Sequence, residues 1–420
     1  MEPDTLHSNR TSFARMTKLG VAFALVLVIG FVGGFSVNAQ GGKSLLASVP
    51  LLGDGLDATP VADANLTDLW KVWHVLAERH VQVHASTTDP DTKKKLWGAI
   101  QGLTASYGDP YTVFFPPAEA KAFQEDIQGN FGGVGAEIGL TKEGILTVIA
   151  PLKDSPAQKA GILAGDLITA IDGKTTEGIS TDEAVKRIRG PKGTAVTFTI
   201  VREKKQLEIK VVRDTIVVPS GDAVYDSKTG VFTISIYQFT ANSGDLFTKG
   251  FEQFKKSGSR KLIIDVRGDP GGYLDQAVLI ASHFLPKGGT VVTEDYKGKK
   301  ENIVHRSIGT NDMPAGTQVV VLMDQGSASA SEILAGALQD SKVAKLVGTR
   351  SFGKGSVQEL VDIDGGSLKI TVARWLTPGG RNISDGGLTP DIKVERTQED
   401  AAAQKDPQKD RAVQYLTTGQ

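Results

Sequence analysis

The sequence predicts an α/β fold, because short apolar runs typical of buried strands are followed by turns of small residues and by helical patterns. Residues 262–267 and 319–323 are two such runs, and each leads through glycines or serines into a helix. A third run, residues 343–349, follows the second helix. Strand, helix and strand in this order favour a right-handed crossover, which makes the two strands parallel neighbours.

Ser327, Ser329 and Ser331 lie between the strand at 319–323 and the helical pattern that begins at Glu332. A hydroxyl on a sharp turn between a strand and a helix is exposed above the sheet. The first N–H groups of the helix lack internal partners, so they could hold a developing oxyanion. On this segment alone, helix capping and turn formation are the commoner roles of such serines.

A lysine just past the third strand adds a second chemical group. Lys354 lies between Gly353 and Gly355, which is an unusual setting for a solvated side chain. The predicted parallel strands would bring it to the same sheet edge as the serine turn, and serine with lysine is a known nucleophile–base pair. Because lysine has a reference pKa of about 10.4, it must be desolvated to act as a neutral base near pH 7.

These motifs together resemble the C-terminal processing proteases, also called tail-specific proteases. The resemblance rests on residues 326–333, 335–340 and 352–355, and it extends through nearly all of residues 63–395. It implies that Ser329 is the nucleophile, that Lys354 is the base, and that Gln358 orients the lysine. It also implies an α/β catalytic body of crotonase/ClpP-like type, a helical N-terminal region and an inserted β-rich PDZ domain.

A glycine turn after the strand at 262–267 presents bare N–H groups at the sheet edge. By resemblance, Gly271 or Gly272 supplies one oxyanion donor and the N–H of Ala330 supplies the other. A phosphate-binding loop is the alternative for this turn, but the Gly-Lys-Ser/Thr spacing of that motif is absent from the sequence.

Residues 125–213 resemble a PDZ domain of the exported bacterial type, on the motifs at 155–162 and 165–168. The glycines at 133 and 135 allow backbone N–H groups to point at a peptide C-terminal carboxylate, and the adjacent strand can pair with the peptide. The predicted peptide-binding residues are Gly133, Val134, Gly135 and Ala136. In the family an arginine near Arg189 can couple the PDZ domain to the active site, although solvated charge is the simpler interpretation of Arg189.

The N-terminus predicts export. Basic residues precede an uncharged apolar run, which is typical of a signal peptide, and the run is also about long enough for a membrane anchor. Localisation is therefore predicted as the cell envelope or periplasm, in a membrane-anchored or secreted form. The predicted segments are a polar basic N-terminus (1–20), a signal peptide or anchor (21–39), a linker (40–62), a helical region (63–122), the PDZ domain (125–213), the protease domain (214–395) and a polar tail (396–420).

Composition excludes several classes of function. The chain contains 47 Lys+Arg and 48 Asp+Glu, so nothing in its charge favours a nucleic-acid partner. It contains no cysteine, which excludes disulfides and thiolate chemistry. His74, His80 and His84 lie near one another, but they do not have the spacing of known metal motifs. We therefore expect no cofactor and no metal.

The sequence predicts an exported serine endopeptidase that cleaves protein or peptide substrates near or from their free C-termini. Its PDZ domain would bind the substrate C-terminus, and an oligomer is compatible with the sequence. One alternative is a catalytically silent PDZ scaffold that binds exported C-termini, which the serine–lysine pair argues against. A second is a crotonase-type lyase or hydratase, whose chemistry requires neither Lys354 nor a PDZ insert.

Overall fold

The structure is a computed structural model that describes residues 61–419, except 62, 82, 84–89, 153, 218, 311, 385, 398, 401 and 402. The predicted N-terminus (1–20), the signal peptide or anchor (21–39), all of the linker (40–62) except residue 61, and His84 lie outside the described residues. Within the described part of the chain, no helix is both long enough and apolar enough to span a bilayer. The stretch before residue 90 forms a separate unit, in which the described residues include the helix α1 (Thr67–Arg79).

The unit that follows begins with two helices and a short strand, α2 (Thr92–Ala105), β1 (Val113–Phe115) and α3 (Pro117–Gln128). Asp91 caps α2, because its carboxylate accepts the N–H of Lys94 over 2.8 Å. Gly129, at φ 73°, ends α3 in a left-handed conformation. The chain then enters strand β2 (Asn130–Gly133).

A β-rich middle domain follows β2. Its elements are β3 (Ala136–Leu140), β4 (Leu146–Pro151), α4 (Pro156–Lys159), β5 (Leu167–Ile171), β6 (Lys174–Thr175), α5 (Thr181–Ile188), β7 (Ala195–Arg202) and β8 (Lys205–Val212). The sheet has the order β3-β4-β5-β7-β8, with β6 beside β5, so β3 is an edge strand. Strand β9 (Asp214–Val217) then pairs antiparallel with β2, and the domain is entered and left through this two-stranded ribbon.

The catalytic body begins after β9. Its elements are β10 (Gly221–Asp226), β11 (Val231–Ile236), α6 (Ser243–Ser257), β12 (Lys261–Asp265), α7 (Leu274–Ala281), β13 (Thr290–Asp295), β14 (Ile303–Arg306), β15 (Gln318–Met323), α8 (Ala330–Asp340), β16 (Ala344–Gly348), β17 (Ser356–Ile363), β18 (Gly366–Leu376), β19 (Ile392–Lys393) and α9 (Pro407–Thr418).

The main sheet of the body has the order β10-β11-β12-β15-β16-β19. The strands from β11 onward are parallel, which confirms the predicted parallel pairing of β15 with β16. Along β15, Val319, Val321 and Met323 face one core, while Val320 and Leu322 face another. Because both faces are covered, the strand is apolar at five successive positions instead of alternating.

A second sheet joins the region before the middle domain to the end of the body. Its order is β1-β18-β13-β14, and β17 pairs with β18 in a hairpin. Asp364 and Gly365 form the hairpin turn with φ 50° and 82°. Through β1, residues just after α2 lie beside β18, the second strand of this hairpin.

The polar tail predicted at 396–420 contains helix α9, and this helix packs on the main sheet. Ala412 and Leu416 are 0% and 2% exposed, and they pack on the face of the main sheet formed by Val320, Leu322 and Val347. Two apolar residues four positions apart are a weak signal in a polar segment, but they lie on the same face of a helix. They therefore cover the side of the sheet opposite the larger core.

Candidate active site

Ser329 differs from its two serine neighbours. The Ser327 hydroxyl is buried, donating to the carbonyl of Val266 over 2.7 Å, and the Ser331 hydroxyl donates to the carbonyl of Asp269 over 3.1 Å. Those two serines are structural. Ser329 has φ 55° and ψ −113°, a conformation that costs a residue with a side chain roughly 1–3 kcal/mol. Such strain, directly before the N-terminus of α8, is a feature of nucleophile turns.

Lys354 lies in the loop between β16 and β17 and is half-buried. Burial lowers the pKa of its ammonium group, and the nearby Glu332 carboxylate opposes that effect. Its Nζ atom lies 5.5 Å from the centre of the Tyr111 ring. Tyr111 comes from the turn before β1, so the region before the middle domain contributes to the surroundings of the lysine.

Glu332 joins the serine turn to the lysine loop. Its side chain is 0% exposed and accepts four hydrogen bonds. The donors are the N–H of Ser329 (2.9 Å), the hydroxyl of Ser351 (2.6 Å), the N–H of Gly353 (2.7 Å) and the N–H of Lys354 (3.0 Å). Burial raises the pKa of Glu332, while these donors favour its charged form. This bridging role of Glu332 was not predicted from the sequence, although the Ser-x-x-Glu spacing of a capping box is a signal for its contact with Ser329.

The glycine turn after β12 lies against Ser329. A Cβ atom built on Gly271 would come within 2.8 Å of Cβ of Ser329 and 2.9 Å of the N atom of Ala330. The N–H of Gly271 already donates to Oδ1 of Asp269 over 2.8 Å. Among the described residues, the N–H groups of Gly272 and Ala330 have no acceptor in the protein.

The turn is held from the side by Phe239. The N–H of Phe239 donates to the carbonyl of Gly271 over 2.9 Å, and the N–H of Tyr273 donates to the carbonyl of Phe239 over 2.8 Å. A Cβ atom on Gly272 would lie 2.2 Å from the Phe239 carbonyl oxygen, which leaves room only for glycine. The position of the turn is therefore fixed from two sides, by Phe239 and by the serine turn.

Gln358 does not contact Lys354 through a hydrogen bond in this structure. Its side-chain amide donates to Ser356, over 3.1 Å to the carbonyl and 2.6 Å to the hydroxyl, and it lies 3.5 Å from the Thr371 hydroxyl. Gln358 lies on β17, directly after the lysine loop.

A second lysine lies beside the first. Lys369 on β18 has a lowered pKa, because it is buried and because the positive charge of Lys354 repels it. Its ammonium group lies 5.4 Å and 5.1 Å from the ring centres of Phe115 and Phe123, and Asp109 attracts it. The position of Lys369 beside Lys354 was not predicted from the sequence, because it depends on the pairing of β1, β17 and β18.

The predicted peptide-binding residues lie at one end of the middle domain. The carbonyls of Val134 and Gly135 accept the N–H groups of Ala157 (2.8 Å) and Leu152 (2.9 Å). In the described part of the chain, the N–H groups of Val134 and Gly135 donate to no protein acceptor. Gly135 has φ 71°, and Ala136 opens the edge strand β3, which contacts helix α5.

Interpreting Arg189 as a solvated charge is wrong. Its guanidinium group bonds to the Asp126 carboxylate over 2.5 Å and lies 4.0 Å from the centre of the Phe131 ring. Asp126 belongs to α3, and its carbonyl accepts the side-chain amide of Gln238 over 3.3 Å. Arg189 thus links the end of α5 to a helix that contacts the catalytic body.

Among the described residues, the two histidines of the body, His283 and His305, take no part in the constellation around Ser329. His283 contacts Asp312 and Thr248, each over 3.2 Å, and His305 contacts Glu294 over 2.7 Å. His74 and His80 lie in and directly after α1. Among the described residues, no group of three or more His, Cys, Asp or Glu side chains could hold a metal ion.

Comparisons with known proteins identify the family of this chain. Residues 230–394 match the model of peptidase family S41, and residues 147–202 match a PDZ domain. A carboxy-terminal-processing protease of Bartonella bacilliformis is 41% identical over 317 residues, which are 74% of this chain and 71% of that protein. The chain belongs to this family, the S41 serine peptidases with a PDZ domain.

A CtpA-like serine protease of Staphylococcus haemolyticus is 40% identical over 297 residues, or 70% of this chain. The matched region spans 59% of the length of that relative. A solved structure of a Bacteroides fragilis protein assigned to the S41 proteases superposes with a TM-score of 0.52 at 14% identity, covering 86% of this chain and 100% of that chain. At this identity the superposition supports the fold alone.

Proposed function

We propose that this protein is an exported serine endopeptidase that cleaves proteins or peptides near or from their C-termini. Ser329 is the nucleophile and Lys354 is the general base. The observation that carries the proposal is the pair of hydrogen bonds from Ser329 and Lys354 to Oε2 of Glu332. Two residues far apart in sequence are thereby held together at one end of the parallel sheet.

The chemistry follows from the two side chains. The Oγ atom of Ser329 attacks the scissile carbonyl carbon while the neutral amine of Lys354 takes the hydroxyl proton. The tetrahedral intermediate collapses, the C–N bond breaks, and the Lys354 ammonium protonates the leaving amine. Water then attacks the acyl-enzyme ester carbon and gives a proton to Lys354. The ester C–O bond breaks, Lys354 returns this proton to Oγ of Ser329, and the new carboxylic acid leaves and ionises.

The oxyanion would be bound by the N–H groups of Ala330 and Gly272. This refines the prediction, which allowed either Gly271 or Gly272 beside Ala330. Gly272 is the better candidate because the N–H of Gly271 is already bonded to Asp269. Removing one such donor typically reduces kcat by a factor of ~100 or more.

Gln358 would orient Lys354 only after a change of side-chain conformation. Its amide is engaged with Ser356 and Thr371 and makes no hydrogen bond to Lys354. We assign it as a positioning residue that turns toward Lys354 when a substrate occupies the site.

The PDZ domain would bind the substrate C-terminus. The N–H groups of Val134 and Gly135 are suited to a carboxylate, and the open edge of β3 is suited to pairing with an extended peptide. Gly133 and Ala136 flank these donors. An arginine at the end of α5 gives this site a physical connection to the catalytic body through Asp126 and Gln238.

The remaining predictions stay part of this proposal. They are the domain boundaries, the crotonase/ClpP-like classification of the body, the signal peptide or membrane anchor at 21–39, location in the periplasm or cell envelope, and an oligomeric form. Each has its own measurement. The intact mass of the mature exported protein, for example, distinguishes a cleaved signal from a retained anchor.

A catalytically silent PDZ scaffold is the alternative. Casein digestion by the parent protein, with none by a Ser329→Ala variant of equal stability, would exclude it. Equal digestion by both proteins would contradict the proposed mechanism, because a contaminant or another residue would then be responsible. Peptides with free and with amidated C-termini would test the specificity separately.

A further inference from the structure

Asp269 is a fully buried carboxyl group in the glycine turn, between β12 and α7. Its residue is 0% exposed. Oδ1 accepts the N–H of Gly271 over 2.8 Å. Oδ2 is buried and, within the described part of the chain, has no hydrogen-bond partner. A carboxylate oxygen left in this condition is costly, whereas a neutral carboxyl group tolerates it better.

The backbone of Asp269 holds both sides of the nucleophile. Its carbonyl accepts the N–H of Ala328 over 3.0 Å and the hydroxyl of Ser331 over 3.1 Å. Ser329 lies between these two residues, and Gly271 is held by the Asp269 side chain. A change in the charge or position of Asp269 therefore acts on the serine turn and on the glycine turn together.

The charged groups on the surrounding elements are engaged elsewhere. Arg267 bonds to Asp265 and Asp406, Asp324 accepts the N–H groups of Gly268 and Gly326, and Glu332 accepts its four donors from the serine turn and the lysine loop. The N–H of Lys354 donates to Glu332, and Asp275 at the start of α7 is exposed. Burial raises the pKa of Asp269 to about 7.

We propose, on the basis of the proteolytic function above, that Asp269 is a positioning residue that must be protonated for catalysis. As a neutral carboxyl group it holds Gly271 through Oδ1 and leaves the oxyanion site without a competing negative charge. When Asp269 loses its proton, a buried carboxylate lies in the same glycine turn as Gly272, which is the proposed donor to the developing oxyanion. That charge opposes the developing oxyanion, so the rate falls.

This role gives the enzyme an alkaline limb that the serine–lysine pair alone does not provide. A lysine base makes the rate rise with pH until the amine is neutral, and nothing in that pair makes the rate fall again. Ionisation of Asp269 supplies the fall. The dependence of kcat/KM on pH reports the groups of the free enzyme, so it is the quantity to measure.

The test compares the full chain, its Asp269→Asn variant and an Asp275→Asn control, on one unstructured peptide with a free C-terminus between pH 5 and 10. Asparagine keeps the acceptor for Gly271 and cannot ionise. We expect the ratio of kcat/KM between the Asp269→Asn variant and the parent to rise by about tenfold from pH 6 to pH 8. The control variant, which changes an exposed carboxyl group near the same turn, should follow the parent at every pH.

An infrared titration of the parent provides a measurement that does not require cleavage or a folded variant. A protonated carboxyl band that disappears as the pH rises through about 7, in protein labelled at aspartate, supports the proposal. Absence of that band at pH 5 would overturn it.

The two proposals fail in different ways. A parent that cleaves the peptide without losing activity on the alkaline side, or an Asp269→Asn variant that keeps the parent's fall, overturns the role of Asp269 and leaves the protease intact. A folded parent that cleaves nothing at any pH contradicts the proposed function, and the role of Asp269 is then wrong with it.

Discussion

Ser329 and Lys354, which belong to different loops, share one hydrogen-bond acceptor, Oε2 of Glu332. The two N–H groups lie 2.9 Å and 3.0 Å from this atom, so the backbone nitrogens are at most about 6 Å apart. The closeness of the proposed nucleophile and the proposed base is therefore fixed at the level of the backbone.

Replacing Glu332 by glutamine should separate the two loops. The amide NH₂ group cannot accept the N–H groups that the carboxylate accepts, so at least one buried donor loses its partner. We expect kcat/KM to fall at least about a hundredfold and the free energy of unfolding to fall by roughly 3 kcal/mol. Peptide cleavage and urea denaturation measure the two effects. Asp340→Asn, the same chemical change at the far end of α8, should keep nearly full activity.

Replacing Lys354 by arginine should abolish cleavage at every pH, because a guanidinium group does not become neutral in proteins. We expect a loss of about a thousandfold or more in kcat/KM, with peptide binding retained. In the parent, burial lowers the pKa of Lys354, so activity should rise with pH through a value below that of free lysine. An arginine variant with parental activity would exclude Lys354 as the base.

Lys369 should help to keep Lys354 neutral. The two ammonium groups repel each other, as the lowered pKa of Lys369 indicates. A Lys369→Met variant removes one charge and keeps the contact with Phe115 and Phe123. The acid limb of the kcat/KM profile should then move to higher pH. A limb that stays in place would indicate that solvent screens the two lysines from each other.

Asp269 should also affect stability as a function of pH. Its pKa is raised from 3.8 to about 7 in the folded protein, so the folded state binds more protons than the unfolded state between these values. Stability from this group is present at low pH and is lost as the pH rises through about 7, by roughly 4 kcal/mol at most. Urea midpoints at pH 5 and pH 8 should therefore differ more in the parent than in Asp269→Asn.

Arg189 should connect the PDZ domain with the catalytic body. An Arg189→Met variant keeps the contact with Phe131 and loses the bond to Asp126. We expect the preference for peptides with a free over an amidated C-terminus to fall by about tenfold, because binding of the peptide to the PDZ domain would no longer affect cleavage in the catalytic body. Arg187→Met, a change in the last turn of the same helix, should keep the preference. Equal preference in all three proteins would make Arg189 a structural residue.

The fold and the candidate site could be predicted from sequence where the signals are local. Strand β15, the serine turn and α8 form one continuous pattern, and the parallel pairing with β16 follows from the crossover rule. The positions of Ser329 and Lys354 at one sheet edge follow from the same reasoning. The choice of Ser329 among the three serines and the role of Gln358 came from the family resemblance.

Contacts between distant segments could not be predicted in this way. Tyr111 reaches Lys354, and the Phe239 backbone holds the glycine turn, because sheets bring together residues more than a hundred and about thirty positions apart, respectively. The bond between Gly271 and Asp269 depends on turn geometry that glycine-rich sequence leaves open. The packing of α9 depends on a sheet face that exists only after folding.

The ribbon formed by β2 and β9 has a consequence for how this architecture can be altered. The chain leaves the body and returns to it on two paired strands. The residues between Gly133 and Asp214 are therefore connected covalently to the rest of the protein only at this ribbon. Such a ribbon tolerates replacement of the middle domain, since the distance between Gly133 and Asp214 stays the same whichever domain is inserted. Recognition modules of other specificity could thus be grafted onto the same hydrolytic core without redesigning its interior.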